Sequence, residues 1–338
     1  MYKLIRPLLF KLDPEVAHHL TLQLVRLAGI IPPSRWLLQA MFNGPQKPVE
    51  AFGLKFKNPI GLAAGYDKDG EAVPGLAALG FGHLELGTVT PRPQPGNPKP
   101  RVFRLVDDEG VINRMGFPGR GAAYVARQVR RSAPIGKPRS VIIGMNLGKN
   151  KDTALENAVE DYLSLIRDFS ALADYLAINI SSPNTAGLRK LQGREMLETL
   201  LGAVAKERAA CDARPPILVK IAPDLSDEEL EDAIAVILAT GMDGVIAANT
   251  TLSREGLRSR SQAESGGLSG RPLTGLSDAV LSKVVKLVAG QVPVVGVGGV
   301  SNPEDARRKL DLGATLVQVY TGMIYAGPGL VKDILTGG

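Results

Sequence analysis

The stretch Ala177-Ile-Asn-Ile-Ser-Ser-Pro-Asn-Thr185 is an apolar run that stops abruptly at a cluster of hydroxyl and amide side chains. Residues 175–180 have the composition of a parallel strand covered on both faces. Asn179, Ser182, Asn184 and Thr185 then fall at its carboxyl end, where parallel α/β folds build their sites. Other apolar runs end the same way: Lys68 follows the first, and Thr88, Asn146, Lys220 and Asn249 lie on or at the ends of the second, third, fifth and sixth. A lone buried asparagine is usually a satisfied core group. Six polar groups converging on one mouth describe instead a site of hydrogen-bond donors and cations without a carboxylate pair. Such a set holds an amide-rich, anionic ligand and stabilises developing negative charge; it does not hydrolyse a glycosidic bond. A further chemical element is Gly296-Val-Gly-Gly-Val-Ser-Asn-Pro303. Its glycines let backbone amides approach a phosphate, ahead of a helix opened by Ser301 or Asn302 as cap.

The elements that must position these groups form an alternation. Apolar runs at 58–64, 83–89, 141–147, 175–180, 216–221, 244–249, 292–297 and 315–320 are separated by helical patterns such as 152–172, 195–210, 226–240 and 277–289, with Ser226 as an N-cap. Eight βα units over roughly 280 residues is the size of an α/β fold of the (β/α)8 TIM barrel type. A doubly wound open sheet shares the alternation, but the connections favour the barrel. Segments 90–121, 181–194 and 250–274 are long and polar or rich in glycine and proline, and each follows a strand's carboxyl end; returns from helix to strand are short. In a barrel, the glycine cluster after the seventh strand and Tyr320-Thr321-Gly322 after the eighth coincide with the usual phosphate site, which implies a phosphate-bearing cofactor or substrate.

Composition sets bounds on the remaining possibilities. The 338 residues are 44% hydrophobic and 22% charged, ordinary globular material. The lone Cys211 excludes a disulfide framework and a thiolate metal site, and the three histidines lack ligand spacing, so no metal is expected. A net charge of +6 and a pI near 9.3 permit anionic partners, but acidic residues are interspersed and aromatics are only 5%, which argues against nucleic acid and for solvated basic surface. In the first 45 residues, Leu4, Leu8 and Leu12, then Val16, Leu20 and Leu24, repeat every four residues, and Asp13-Pro14 is a cap with a first-turn proline. Two short amphipathic helices are predicted. Neither is long enough to span a bilayer, and polar breaks at 11–14 and at Pro32-Pro33 exclude a signal-peptide core. Lys3, Arg6, Lys11, Arg26 and Arg35, with Trp36, Leu37, Leu38 and Met41 as an apolar edge, suit an interfacial helix pair; the periodicity fits packing on the barrel equally.

Six motifs then match a family. Ala63-Ala-Gly-Tyr-Asp-Lys-Asp-Gly70, Gly87-Thr-Val-Thr-Pro-Arg-Pro-Gln-Pro-Gly-Asn-Pro98, Ile112-Asn-Arg-Met-Gly-Phe117, Asn179-Ile-Ser-Ser-Pro-Asn-Thr185, Val219-Lys-Ile-Ala-Pro-Asp224 and Gly266-Gly-Leu-Ser-Gly-Arg-Pro-Leu273 closely resemble those of the quinone-linked, membrane-associated dihydroorotate dehydrogenases. The resemblance covers essentially the whole chain. It implies a helical extension over residues 1–45, a catalytic barrel over 46–338, and a non-covalent FMN in the barrel mouth that oxidises dihydroorotate to orotate in pyrimidine synthesis. Carried over by position, it places flavin contacts at Ala64, Gly65, Tyr66, Asp67, Lys68, Thr88, Asn146, Asn179, Lys220, Gly270, Gly299, Tyr320 and Thr321. Orotate contacts fall at Lys68, Asn113, Arg114, Met115, Gly116, Phe117, Asn179, Asn184, Asn249 and Thr250, and Ser182 matches the catalytic base. In one departure, the family's frequent Thr-Asn-Thr-Thr after the sixth strand is Ala248-Asn-Thr-Thr251 here. Ala248 is a flavin contact without a hydroxyl, which removes a hydrogen bond of about 1 kcal/mol if the side chain is what meets the cofactor.

The same resemblance separates classes. Soluble relatives generally carry a cysteine base and lack the helical extension, whereas this chain has Ser182 and the extension, so quinone is the implied acceptor. His18, Arg104 and Tyr320 are the implied contacts near a quinone head, with His18 equally readable as a packed helix residue. The class implies a monomer held peripherally on the cytoplasmic side of a cell membrane. Other flavin barrels, of the dihydropyrimidine dehydrogenase or dihydrouridine synthase kind, are the alternative; the motif at 113–117 and the lack of an RNA-binding region after the barrel speak against them.

Overall fold

The computed structural model describes residues 2–132 and 139–337. Its centre is a closed ring of eight parallel strands: β1 (Ile60–Leu62), β2 (His83–Val89), β3 (Ile142–Leu147), β4 (Tyr175–Asn179), β5 (Ile217–Lys220), β6 (Gly244–Ala247), β7 (Val294–Val297) and β8 (Leu316–Val319). Neighbours in the ring follow chain order, and β8 pairs with β1, Val317 opposite Ile60, to close it. The predicted (β/α)8 barrel is the observed fold, and each strand lies within its predicted run.

Helices pack on the outer wall through a continuous apolar shell that includes Leu84, Ile143, Leu176 and Val219 from the strands and Leu165, Leu200, Ile237 and Leu281 from the helices. Ser226 caps Asp227–Ala239 through a reciprocal pair with Glu229: the Glu229 amide donates to Ser226 Oγ at 3.1 Å, and the Ser226 amide donates to Glu229 Oε2 at 2.8 Å. Of the two candidate caps after β7, Asn302 accepts from the Asp305 amide at 2.8 Å. The helix expected over 152–172 is shorter, a 3-10 turn Leu155–Asn157 followed by Ala158–Phe169. The Asn150 amide donates to Asp161 Oδ2 at 2.8 Å, so the segment before the helix folds back over its first turn instead of extending it.

Inside the ring, large side chains on one strand face glycine on the next. A Cβ on Gly61 would lie 2.0 Å from the His83 ring, and one on Gly144 would lie 2.0 Å from Tyr175, so these two glycines create the space those rings occupy. Below this layer an antiparallel hairpin, Val49–Ala51 with Leu54–Phe56, plugs the floor, and Phe56 meets His83 edge-on at 5.4 Å between ring centres. At the opposite end, the long connections after β2 and β6 contribute Val102–Leu105, Gly110–Asn113 and Gly267–Gly270 to an antiparallel sheet beside the mouth.

The N-terminal region holds three helices, not the two predicted: α1 (Tyr2–Lys11), α2 (Pro14–Ile30) and α3 (Pro32–Phe42). Pro32-Pro33, read as a break, begins the third helix, because a first-turn amide has no intrahelical acceptor to lose. Asp13 caps α2 as expected, accepting from the Glu15 and Val16 amides. α2 crosses the barrel helix Val73–Ala78 at Gly29 and Gly75: a Cβ on Gly29 would lie 2.2 Å from the Gly75 amide nitrogen, and one on Gly75 would lie 2.0 Å from the Val25 carbonyl oxygen.

Candidate active site

The strand ends and the loops beyond them enclose a cavity of about 440 Å³ at the carboxyl side of the ring. Lys220, at the end of β5, and Asn179, at the end of β4, reach it from the barrel interior, because successive strand residues alternate between interior and wall. Asn179 Nδ2 donates to Thr88 Oγ1 at 2.9 Å and to Asn146 Oδ1 at 3.0 Å; Asn249 Nδ2 donates to Ser181 Oγ at 3.0 Å. Asn184 Nδ2 reaches Asn113 Oδ1 at 3.2 Å, which joins the loop after β4 to the sheet beside the mouth. Ser182 is buried on that loop and faces the cavity; its Oγ accepts from the Asn184 amide at 3.3 Å. Thr185 Oγ1, three residues on, is buried and without a hydrogen-bond partner among the described residues. Arg189 pins the rim: Nε donates to Ser181 O at 3.0 Å, one terminal nitrogen to Thr250 O at 2.9 Å and the other to Asp224 at 2.7 Å.

Opposite these groups lie Gly298, Gly299, Val300, Tyr320 and Thr321. Ser277 Oγ donates to Gly298 O at 2.9 Å and Thr274 Oγ1 to Gly299 O at 3.0 Å, so both carbonyls are held toward the helix behind them. In a trans peptide the following N–H points the opposite way, which turns the Gly299 and Val300 amides toward the cavity. That is the donor set a phosphate requires, and Lys220 and the amides of Asn179 and Asn249 at the other end suit an amide-rich ring; the residues present fit a flavin nucleotide.

Most expected contacts meet in this one space: Ala64, Gly65, Tyr66, Lys68, Thr88, Lys220, Ala248, Gly270, Gly299, Tyr320 and Thr321 line it, as do Asn113, Met115, Gly116, Phe117, Asn249 and Thr250. Three do not. Asp67 is buried beneath the loop, where its carboxylate accepts the Glu71 and Ala72 amides at 2.9 and 2.8 Å, and burial pushes its pKa up to about 6. Asn146 lies one layer deeper, behind Thr88 and Asn179. Arg114 turns outward, donating to Glu264 at 2.6 Å and lying over the Phe103 ring. The Ala248 N–H is taken by Val297 O at 3.2 Å. Lys68 Nζ donates to Gly65 O at 2.6 Å, and burial lowers its pKa to about 8.

α1 and α2 form the remaining wall through Leu9, Phe10, Ala17, His18, Thr21 and Val25. His18 meets Tyr66 edge-on at 5.0 Å, and Tyr66 meets Tyr320 at 5.7 Å, a line of rings from helix to barrel rim. Two arginines on Val102–Leu105 and the residue before it fasten the helices. Arg101 grips Glu15 at 2.6 and 3.1 Å; Arg104 donates to Phe10 O at 2.8 Å and Leu12 O at 2.5 Å, where the last carbonyls of α1 lack intrahelical donors.

Residues 48–337 match the sequence model of the family described as dihydroorotate dehydrogenase. The chain belongs to the dihydroorotate dehydrogenase family. Among relatives named dihydroorotate dehydrogenase (quinone), that of Roseiflexus sp. (strain RS-1) is 48% identical over 100% of this chain and 93% of its own length, and that of Acidithiobacillus ferrooxidans is 51% identical over 99% and 93%. The crystal structure of Eimeria tenella DHODH in complex with ferulenol superposes with a TM-score of 0.86 at 40% identity, covering 96% of this chain and 90% of that one. The barrel is therefore the family's fold, preceded in this chain by the N-terminal helices.

Sequence reading missed one group inside the barrel of this family member: Glu85, His83, Tyr175 and Gln318 form a buried polar layer directly below the mouth. The signal was available as His83 and Glu85, two polar residues at alternate positions of the β2 run. Without the ring closed, nothing indicated that the partners of Glu85 come from β3, β4, β5 and β8.

Proposed function

We propose that the flavin of this enzyme is FMN, seated with its phosphate against Gly299, Val300 and Thr321 and its ring system against Lys220, Asn179 and Thr88. When bound, it supplies the hydride acceptor. The reaction is the family's, oxidation of dihydroorotate to orotate with electrons passed to quinone, and it serves pyrimidine synthesis. Ser182 takes the proton from the substrate carbon next to a carbonyl. A serine hydroxyl is a weak base, so Ser182 must hand its own proton on to water, directly or relayed by Thr185, whose Oγ1 has no partner among the described residues. Asn113, Asn184 and Asn249 orient the substrate and stabilise the negative charge that develops on its ring, while Lys68 balances its carboxylate.

The chain divides at about residue 45 into a helical extension and the catalytic barrel. Lipid is the proposed partner of α1–α3, which lie as a monomer's peripheral anchor on the cytoplasmic side of a cell membrane and admit quinone past His18 and Arg104 toward Tyr320. No helix among the described residues is long and apolar enough to cross a membrane. The observation that carries this reading is the convergence on one cavity of Ser182, four asparagines and Lys220 from the barrel and its loops with an apolar wall from the helices. Anaerobic mixing of the purified protein with dihydroorotate, followed by a soluble ubiquinone analogue, tests it. Bleaching of the flavin absorbance and then its recovery are expected; a bound flavin that dihydroorotate leaves oxidised would exclude the substrate.

A further inference from the structure

Glu85 has no exposed surface and takes no part in the chemistry above, yet its carboxylate sits one layer below the cavity and is surrounded by donors. Oε1 accepts from Asn146 Nδ2 at 2.8 Å and faces Lys220 Nζ at 3.4 Å; Oε2 accepts from Gln318 Nε2 at 2.7 Å and from the Tyr175 hydroxyl at 3.1 Å. Burial pushes the carboxyl up, but the Lys220 charge and the Gln318 and Asn146 hydrogen bonds outweigh it and hold Glu85 below the ordinary glutamate range. A buried charge of this kind is poor value for stability, since a well-packed apolar group of the same volume does as well. Nor is the layer completed for its own sake: His83 Nδ1 and Gln318 Oε1 have no partner among the described residues.

What the carboxylate does impose is direction. It can only accept, so Asn146 must turn its Nδ2 toward it and its Oδ1 toward the mouth, where it accepts from Thr88 Oγ1 at 2.6 Å and Asn179 Nδ2 at 3.0 Å. Asn179, having committed its Nδ2, presents Oδ1 to Ser181 and to Asn249 Nδ2 at 3.4 Å. Asn249 Oδ1 in turn accepts from the Thr250 amide at 2.8 Å. Each amide of the rim thus takes its sense from the one beneath it, and the series begins at Glu85. The same carboxylate offsets the cation that Lys220 presents to the cavity.

We propose that Glu85 is a positioning residue with two effects, orienting the amides of Asn146, Asn179 and Asn249 and moderating the positive charge of Lys220 toward the flavin. This rests on the reading that a flavin lies against Lys220. Glu85→Gln keeps the shape but removes the charge and offers a donor where only acceptors stood. Lys220 is then uncompensated, so the electron-rich form of the flavin is favoured. The two-electron potential of the FMN-loaded variant is expected to rise by at least about 30 mV, equivalent to a tenfold tighter hold on reduced over oxidised flavin. Orotate, titrated against the oxidised protein, is expected to bind about fivefold more weakly as the rim loses its set direction.

The cycle is completed with Lys220→Met and the double variant. If Glu85 acts through Lys220, Glu85→Gln shifts the potential little in the Lys220→Met background. A folded, flavin-bound Glu85→Gln protein with the wild-type potential would overturn the charge role, as would an equal shift with and without Lys220. Unchanged orotate affinity would overturn the orienting role. Calorimetric titration of FMN into flavin-free wild type separates these outcomes from failure of the flavin reading itself, which would appear as no binding. Should Glu85→Gln not fold, Glu85→Asp carries the test: it keeps the charge but draws it back by a methylene from Lys220, and the potential rises by less in the same direction.

Discussion

Glu85 and Asn146 have no exposed surface, whereas Leu4 and Trp36 are 81% and 70% exposed. In the barrel mouth, polar groups are buried, drawn from strand ends and locked to one another. On α1–α3, large apolar side chains face outward; among the described residues, Val106 and Leu252 are the only exposed large hydrophobics outside residues 4–41. Both arrangements run against the ordinary distribution of residues, and in opposite senses. The mouth holds its groups rigidly because a displaced donor would be left unpaired in a low-dielectric interior. The helices hold theirs open because a bilayer interface, not the rest of the chain, is the cover proposed for them. Arg101 and Arg104 join the two regions, so the exposed apolar surface proposed to meet lipid is fastened within reach of the buried polar mouth.

The comparison is sharpened most by changes confined to one side of it. Ser182→Ala should slow flavin bleaching by dihydroorotate by about 10²–10⁴-fold, the usual contribution of a positioned base, with orotate affinity nearly unchanged. Rapid-mixing absorbance measures the first and equilibrium titration the second; wild-type bleaching would remove Ser182 from the proton step. Substituting Leu4, Leu8 and Trp36 together by aspartate acts on the other region. Each removes about 1.5–3 kcal/mol of apolar transfer, so affinity for anionic lipid vesicles should fall at least about a hundredfold in sedimentation assays, while the bleaching rate is kept. Retained vesicle binding would show that these side chains do not face lipid.

The two regions also differed in how far the sequence revealed them. The eight runs gave the strands directly, because strands buried on both faces are near-continuous apolar segments. Asn179, Ser182 and Lys220 were visible as polar residues ending such runs. Glu85 was not, since its meaning depends on Asn146, Tyr175, Lys220 and Gln318 arriving from four other strands, and only closure of the ring brings them together. Arg114 and Asp67 lay in motifs that pointed to the site, yet a motif fixes residue identity and not the rotamer, and each finds a nearer partner in Glu264 or in the amides of Glu71 and Ala72. At the N-terminus, periodicity identified the apolar faces. It misjudged Pro32-Pro33, because the same two residues that end one helix are well suited to begin the next.

The smallest effect concerns the histidine at the junction of the two regions. Burial, followed by the charge of Lys68, lowers His18 to about 3, and burial lowers His83 in the barrel floor to about 4. Both are therefore neutral in the folded protein and take up a proton first when unfolded. The unfolded state binds more protons below about pH 6.5, so the stability associated with each is intact above that value and is lost as pH falls toward the folded pKa. His18→Gln should make Tm less sensitive to acidification between pH 6.5 and 4.5, by about 2 °C for this incompletely buried ring, leaving the part due to His83 in place. A second expectation separates packing from electron transfer. Because burial lowers His18 to about 3, its titration contributes no inflection near pH 6.5 to the quinone half-reaction. An inflection there that His18→Gln abolishes would mean that His18 ionises in the working enzyme, and that the helix wall opens to water more than its packing against Tyr66 implies.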